Sequence, residues 1–203
     1  MDLLQTTVLM AVIGVSPASG WFFGRANTAS ADDKPVDPDC EAHGEAGRCE
    51  FYQCFEERFP CGKDGYMAKF GTPFCARFER VYGAFTPKGQ EFVNGTARCL
   101  TRGLLQYYKQ DKVDCHRLSH DAFDLVSSCY ASNGFCDVAE ENAAVFTDVF
   151  QPKYLFKSGA LKIWKEIMEL MYHCNPDKVH NLATTVVKMV SGFVNFLTSS
   201  GSR

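Results

Sequence analysis

Ten cysteines constrain this chain more than any other feature of its sequence. They are spread over a 203-residue chain, at Cys40, Cys49, Cys54, Cys61, Cys75, Cys99, Cys115, Cys129, Cys136 and Cys174. An even number distributed in this way is typical of disulfide-bonded proteins from an oxidising compartment. We therefore predict five disulfides, with a mixture of disulfides and free thiols as the alternative.

A structural zinc site would use the same residue type, but the cysteine spacing argues against it. The chain has no C-x-x-C motif, and its closest pair, Cys49 and Cys54, has no second close pair nearby. Zinc sites with four protein ligands usually combine two such pairs. We predict no bound metal and no cofactor.

The first 20 residues have the pattern of an export signal. An apolar run from Leu3 to Val15 precedes small residues up to Gly20, and it is shorter than the about 20 residues that span a membrane. We predict a signal peptide over 1–20, secretion, and no membrane insertion after cleavage. Cleavage after Ala18 or Gly20 is favoured, and the small residues at 29–31 offer a later alternative.

The composition of the remaining residues divides them into an N-terminal arm and one globular domain. From Ala26 to Asp39 the residues are small, polar and acidic, so we predict a disordered N-terminal arm over 21–39. Beyond it, residues 40–203 form one predicted domain, because 46% hydrophobic and 22% charged residues are ordinary globular values. A net charge of -3 provides no basic surplus, which argues against nucleic acid as a partner.

Apolar residues recur at helical spacing along most of this domain, and no strand pattern is comparably strong. The first predicted helix spans 73–82, and a second begins at Pro87 with Thr86 as its cap. After a polar turn over 109–114, a third helix runs from Cys115 to the pair Asn133-Gly134, which ends it. A fourth helix is predicted over 136–150. The predicted fold class is all-α, a compact disulfide-crosslinked helical domain with a long amphipathic C-terminal helix.

That last helix, over 177–198, has the most regular apolar pattern of the chain. Its apolar side is formed by Val179, Leu182, Val186, Val190, Phe193 and Leu197. Core packing and a homodimer seam both explain such a stripe. A lipid-anchor signal is disfavoured, because Lys188 interrupts the hydrophobic tail that such a signal needs and polar residues from Thr198 to Arg203 follow it.

Catalytic patterns are weak, and we predict that the protein is not an enzyme. His116, His120 and Asp124 would share one helix face and could bind a divalent metal, but a solvated polar face is the favoured interpretation. The chain has no G-x-S-x-G elbow, no P-loop and no G-x-G-x-x-G motif. Asn94-Gly95-Thr96 is a glycosylation sequon, which we predict to be modified at Asn94, with an unmodified surface asparagine as the alternative.

The cysteine order and the residues between the cysteines resemble the stanniocalcins, which are secreted glycoprotein hormones. The resemblance is carried by Cys61-x13-Cys75, by Lys88 to Val93 before Cys99-Leu100, by Cys115, by Cys129-Tyr130 with Cys136, and by Cys174 to Asp177. It implies a helical fold, secretion, homodimers, glycosylation, and activity in calcium and phosphate balance or as inhibitors of pappalysin-type metalloproteinases. The implied partner is a cell-surface receptor or an extracellular metalloproteinase. The alternative is an extracellular structural or matrix protein without hormone activity.

The resemblance also implies a disulfide pairing. The pairs are Cys40 to Cys54, Cys49 to Cys75, Cys61 to Cys115, Cys99 to Cys129, and Cys136 to Cys174. Vertebrate stanniocalcins carry a further cysteine that joins the protomers, and this sequence has none after Cys174. A homodimer of this chain is therefore expected to be non-covalent.

Overall fold

The apolar periodicity of the sequence corresponds to helices through most of the structure. The computed structural model describes residues 28–150, 169–171, 173, 174, 180 and 184. The elements are β1 (Thr28–Ser30), α1 (Pro38–Ala46), α2 (Glu50–Arg58), a π-helix (Met67–Gly71), α3 (Thr72–Val81), a 3-10 helix (Tyr82–Ala84), α4 (Pro87–Tyr108), β2 (Lys112–Asp114), α5 (Cys115–Ser132), α6 (Phe135–Val138) and α7 (Ala143–Val149). The predicted all-α class is confirmed, with one small two-stranded sheet in addition.

Local capping signals place several helix ends. The Thr86 hydroxyl accepts a hydrogen bond from the Gly89 backbone N–H at 3.1 Å, with Pro87 as the first helical residue, as the sequence predicted. The Asp114 carboxylate accepts from the first backbone N–H groups of α5. After α5, Gly134 adopts a φ of 80°, which an L side chain rarely permits, and the chain turns into α6.

Two aromatic clusters form the interior, and α4 connects them. The first core cluster contains Phe51, Phe55, Phe59, Tyr66, Phe70, Leu104, Tyr108, Leu118 and Phe123. The second core cluster contains Phe85, Phe92, Tyr130, Phe135, Phe146, Val149 and Phe150. The N-terminal half of α4 supplies Phe92 and its C-terminal half supplies Leu104 and Tyr108, so this 22-residue helix is the axis of the fold.

The predicted disordered arm over 21–39 is wrong from residue 28 onward. Strand β1 pairs antiparallel with β2, with Ala29 opposite Val113. Ala29 and Ala31 are buried, and the Ala31 backbone N–H donates to the Asp111 carbonyl at 2.9 Å. Two of the small side chains that suggested disorder therefore belong to the first core cluster. Residues 21–27 and the signal peptide predicted over 1–20 lie outside the described residues.

We expect the secreted protein to retain strand β1. Signal cleavage after Ala31 would remove β1 and uncover Val113, which is 2% exposed. The earlier cleavage position is therefore favoured on structural grounds as well. N-terminal sequencing of the secreted protein should find a first residue before Thr28, and a chain that begins at Asp32 would contradict this expectation.

The single helix predicted over 136–150 is wrong, because a turn at 139–142 separates α6 from α7. The Asn142 side chain lies at that turn and is almost completely buried. Its Oδ1 accepts from the Thr86 backbone N–H at 2.9 Å, and its Nδ2 donates to the Val138 carbonyl at 2.8 Å. One side chain therefore satisfies polar groups at the end of α6 and at the start of α4.

Replacing Asn142 by Ala should lower the free energy of unfolding by about 2 to 3 kcal/mol, because the part-buried Thr86 backbone N–H would lose its partner and the Val138 carbonyl would keep only its bond from the backbone N–H of residue 142. Chemical denaturation monitored by circular dichroism measures this change. Glu141→Ala is the matched control, since Glu141 contacts the Thr86 hydroxyl from an exposed position and its loss should cost less than about 0.5 kcal/mol. Equal effects of the two substitutions would contradict this role of Asn142.

The C-terminal part of the chain is described only at a few positions. Leu170, Met171 and Cys174 are buried in the second core cluster. His180 and Thr184 are helical, and the other residues of the long helix predicted over 177–198 lie outside the described residues. The structure therefore shows that the residues shortly before this predicted helix, up to Cys174, pack into the second core cluster.

Candidate functional site

The disulfides fix the surface that any partner would meet. All ten cysteines are paired, and the five pairs are those that the resemblance implied: Cys40–Cys54, Cys49–Cys75, Cys61–Cys115, Cys99–Cys129 and Cys136–Cys174. Their Cα–Cα distances of 5.4 to 5.9 Å lie in the normal range for disulfides. No thiol is therefore left for nucleophilic or redox chemistry.

Each disulfide joins elements that also pack against each other. Cys99–Cys129 connects α4 to α5, Cys49–Cys75 connects the start of α2 to α3, and Cys136–Cys174 connects α6 to the C-terminal segment. Covalent ties of this kind restrict the unfolded state and keep surface elements in register.

The sequon residue Asn94 lies on α4 and is exposed. Its Nδ2 donates a hydrogen bond to the Tyr82 hydroxyl at 2.7 Å. Thr96, the hydroxyl residue of the sequon, is 5% exposed in the folded protein. Transfer of a glycan to Asn94 therefore has to precede the folding of α4, because the sequon must be recognised through this buried residue.

We expect Asn94→Gln to remove an N-linked glycan from the secreted protein. The test is the mobility of the secreted chain before and after enzymatic removal of N-glycans. Tyr82→Phe is the matched control, because it removes only the hydroxyl that Asn94 contacts and leaves the sequon intact. If wild type and Asn94→Gln migrate alike, Asn94 is the unmodified surface residue of the alternative interpretation.

The histidine pair considered as a metal site is only partly brought together. His120, Asp121 and Asp124 have ligand atoms within 4.8 Å of one another, and His116 is not among them. The His120 Nδ1 lies 3.2 Å from an Asp124 Oδ2 and 3.6 Å from an Asp121 Oδ1. His120 and Asp124 are mostly exposed, so these contacts lie on the solvent-facing side of α5.

Asp121 contacts side chains of both α4 and α5. The Tyr107 hydroxyl donates to its Oδ2 at 2.5 Å, and the Arg117 Nε lies 3.5 Å from the same oxygen. The hydrogen bond from Tyr107 holds the pKa of the Asp121 carboxyl below its ordinary value, against a smaller opposing effect of burial. A carboxylate that stays ionised and paired in this way links α4 to α5 and is a poor proton acceptor.

The predicted dimer seam, formed by Val179, Leu182, Val186, Val190, Phe193 and Leu197, lies outside the described residues. The nearest described residues, Leu170, Met171 and Cys174, pack into the second core cluster. The segment that carries the seam is thus tied to the domain by Cys136–Cys174. The seam itself stays a prediction.

Sequence reasoning missed an aromatic cavity of about 100 Å³ between the two core clusters. It is lined from α2 by Tyr52, from α3 by Phe74 and Phe78, from α4 by Phe92 and Thr96, and from α5 by Phe123 and Tyr130, with Tyr66, Phe150 and Leu170 completing the wall. These residues come from segments far apart in the sequence. Each of them fits its own helix as an ordinary apolar residue, so no local signal indicates a gap between them.

Comparison with known proteins supports the resemblance. In the described part of the chain, no helix is both long and apolar enough to cross a membrane. The family model described as the stanniocalcin family matches residues 31–200. No curated protein and no solved structure matches the chain. The match covers most of the chain, so the protein belongs to the stanniocalcin family, a family of secreted, hormone-like proteins not known as enzymes.

Proposed function

We propose that this protein is a secreted regulator that acts by binding another protein, either a cell-surface receptor or an extracellular metalloproteinase. The observation that carries the proposal is the family match over residues 31–200. The five disulfides support it, since they are typical of extracellular proteins whose surface must stay fixed. By membership in the family, its physiological role would lie in calcium and phosphate balance or in the control of a pappalysin-type metalloproteinase.

Three further features belong to this proposal. A signal peptide over 1–20 would direct export, a glycan at Asn94 would cover part of α4, and a homodimer would form through the C-terminal helix. Two copies in one assembly would present two identical binding surfaces. Bivalent binding of this kind raises the effective affinity for a clustered receptor or a dimeric enzyme.

Affinity capture from extracellular fluid tests the proposal. The bait is the purified, oxidised protein, and the matched control is the same protein after reduction and alkylation, which has the same sequence without its disulfides. We expect the oxidised bait to recover a specific surface receptor or metalloproteinase that the control bait does not recover. Recovery of matrix components alone would contradict the proposal and favour the structural role.

Two direct measurements then separate the two kinds of partner. If the partner is a pappalysin-type metalloproteinase, the oxidised protein should inhibit cleavage of its protein substrate, and the reduced and alkylated protein should not. If the partner is a receptor, labelled protein should bind cells saturably and be displaced by an excess of unlabelled protein. Absence of both effects would contradict a regulatory role.

A further inference from the structure

The aromatic cavity contains hydroxyl groups that the fold leaves unpaired. Tyr52, Tyr66 and Tyr130 line it and are 3%, 4% and 6% exposed. Among the described residues, none of these three hydroxyls has a hydrogen-bond partner. Their oxygens are not among the completely buried atoms that lack a partner, so they remain accessible for a hydrogen bond to a ligand or to water.

Thr96 provides a second, independent observation at the same cavity. It lines the wall from α4 and is 5% exposed, and its Oγ1 is completely buried without a partner among the described residues. A threonine within a helix normally bonds to a carbonyl of the preceding turn, as Thr101 does with Ala97 in the same helix. Thr96 and the three tyrosines thus place four buried, hydroxyl-bearing residues around one apolar cavity. The packing of an apolar core does not need these hydroxyl groups.

Burial keeps the three tyrosine hydroxyls neutral. Burial raises the pKa of the Tyr66 hydroxyl well above its ordinary value, and the neighbouring Tyr52 and Tyr130 raise it further. Burial likewise raises the pKa of Tyr52 and Tyr130. At neutral pH all three are therefore neutral phenols, each able to donate and to accept a hydrogen bond.

The lining also limits the charge and the size of a ligand. None of the described residues that line the cavity carries a charge, so an ionised ligand would have no counter-charge there. A cavity of about 150 Å³ lined by apolar side chains accepts benzene. The present cavity, at about 100 Å³, holds at most one six-membered ring of similar size.

We propose that this cavity binds a neutral, single-ring or similarly small apolar molecule that carries one hydroxyl or carbonyl oxygen. The aromatic walls of α3, α4 and α5 would bury the ring, and the hydroxyls of Tyr52, Tyr66 and Tyr130 would bond to the oxygen. Its lining residues are buried or half-buried between the two core clusters.

Phenol and benzene form a matched pair of probes, because they differ by one hydroxyl. Titration calorimetry with the purified, oxidised protein should give a phenol affinity about three- to tenfold higher than the benzene affinity, as one neutral hydrogen bond provides. Tyr66→Phe should reduce this preference, because one of the three hydroxyls that bond to the ligand oxygen is lost, and should leave benzene binding unchanged. Tyr107→Phe is the control, since its hydroxyl is bonded to Asp121 outside the cavity, and it should retain the preference.

Ala97→Leu tests the location, because Ala97 lines the cavity and a larger side chain there would fill it. This variant should bind neither probe, and if it does not fold, the Tyr66→Phe comparison decides alone. Equal affinities of phenol and benzene for the wild type, or an unchanged preference in Tyr66→Phe, would overturn the proposal. The absence of binding by both probes would overturn it as well.

Discussion

Removal of the Cys61–Cys115 disulfide by a double substitution to Ser should lower the free energy of unfolding by about 4 kcal/mol. The two cysteines are 54 residues apart, and the loss of chain entropy on closing a loop of that size stabilises the folded state by about this amount. The disulfide connects the segment after α2 to the first residue of α5, and both cysteines are buried. Urea denaturation of the purified double variant measures the change.

The Cys40–Cys54 disulfide provides the matched comparison. Its cysteines are only 14 residues apart, so the same double substitution to Ser should cost about 3 kcal/mol. Both variants keep four disulfides and change the same atoms, so the difference between them isolates the size of the closed loop. A larger loss for Cys40–Cys54 than for Cys61–Cys115 would contradict the entropic explanation.

Complete reduction should have a larger effect than either variant. A small domain has a total stability of about 5 to 15 kcal/mol, and five disulfides contribute an amount of similar size. Reduced and alkylated protein should therefore lose its helical circular dichroism at neutral pH. Detection of two or more free thiols in the native secreted protein would contradict the set of five disulfides.

The features that sequence alone predicted correctly depend on neighbouring residues. Thr86 before Pro87 places the start of α4, and Asn133-Gly134 places the end of α5, because a helix end is determined within a few residues. The helix predicted over 73–82 agrees with α3 at Thr72–Val81 for the same reason. The disulfide pairing, in contrast, came from the resemblance and not from local pattern.

The features that sequence alone missed depend on distant partners. Strand β1 is ordered by β2, which lies beyond four α-helices of the chain, so composition near Thr28 could not indicate it. The break between α6 and α7 involves Asn142, whose partner Thr86 is 56 residues away. The cavity could not be predicted from sequence for the same reason. Its walls come from α2, α3, α4 and α5, and its lining residues come together only when these helices pack.

We expect the protein to form a non-covalent homodimer through its C-terminal helix, and we expect a single substitution in that helix to have a large effect on association. The apolar stripe that contains Val186, Val190 and Phe193 has helical spacing over about five turns. Burial of a Val or Phe side chain contributes about 1.5 to 3 kcal/mol. In a symmetric dimer each residue of the seam is buried twice, so the association free energy is sensitive to a single substitution.

Val190→Asp should therefore convert the dimer to a folded monomer. The substitution places a carboxylate in an apolar contact on both protomers, where neither has a compensating charge in the stripe. Asn195→Asp is the matched control, since it adds the same charge to the same segment outside the stripe, and it should remain dimeric. Sedimentation velocity at micromolar concentration distinguishes the two states, and circular dichroism reports whether each variant is folded.

The stripe has a competing explanation, which is packing against the protein's own core. Leu170 and Met171 belong to the second core cluster, and Cys136–Cys174 links α6 to a residue shortly before this segment in the sequence. If the stripe only completes the core, the wild type should sediment as a monomer and Val190→Asp should lose helical structure. If the stripe is a seam, the wild type should sediment as a dimer and Val190→Asp should keep its helical structure, because the five disulfides and both core clusters are untouched by the substitution.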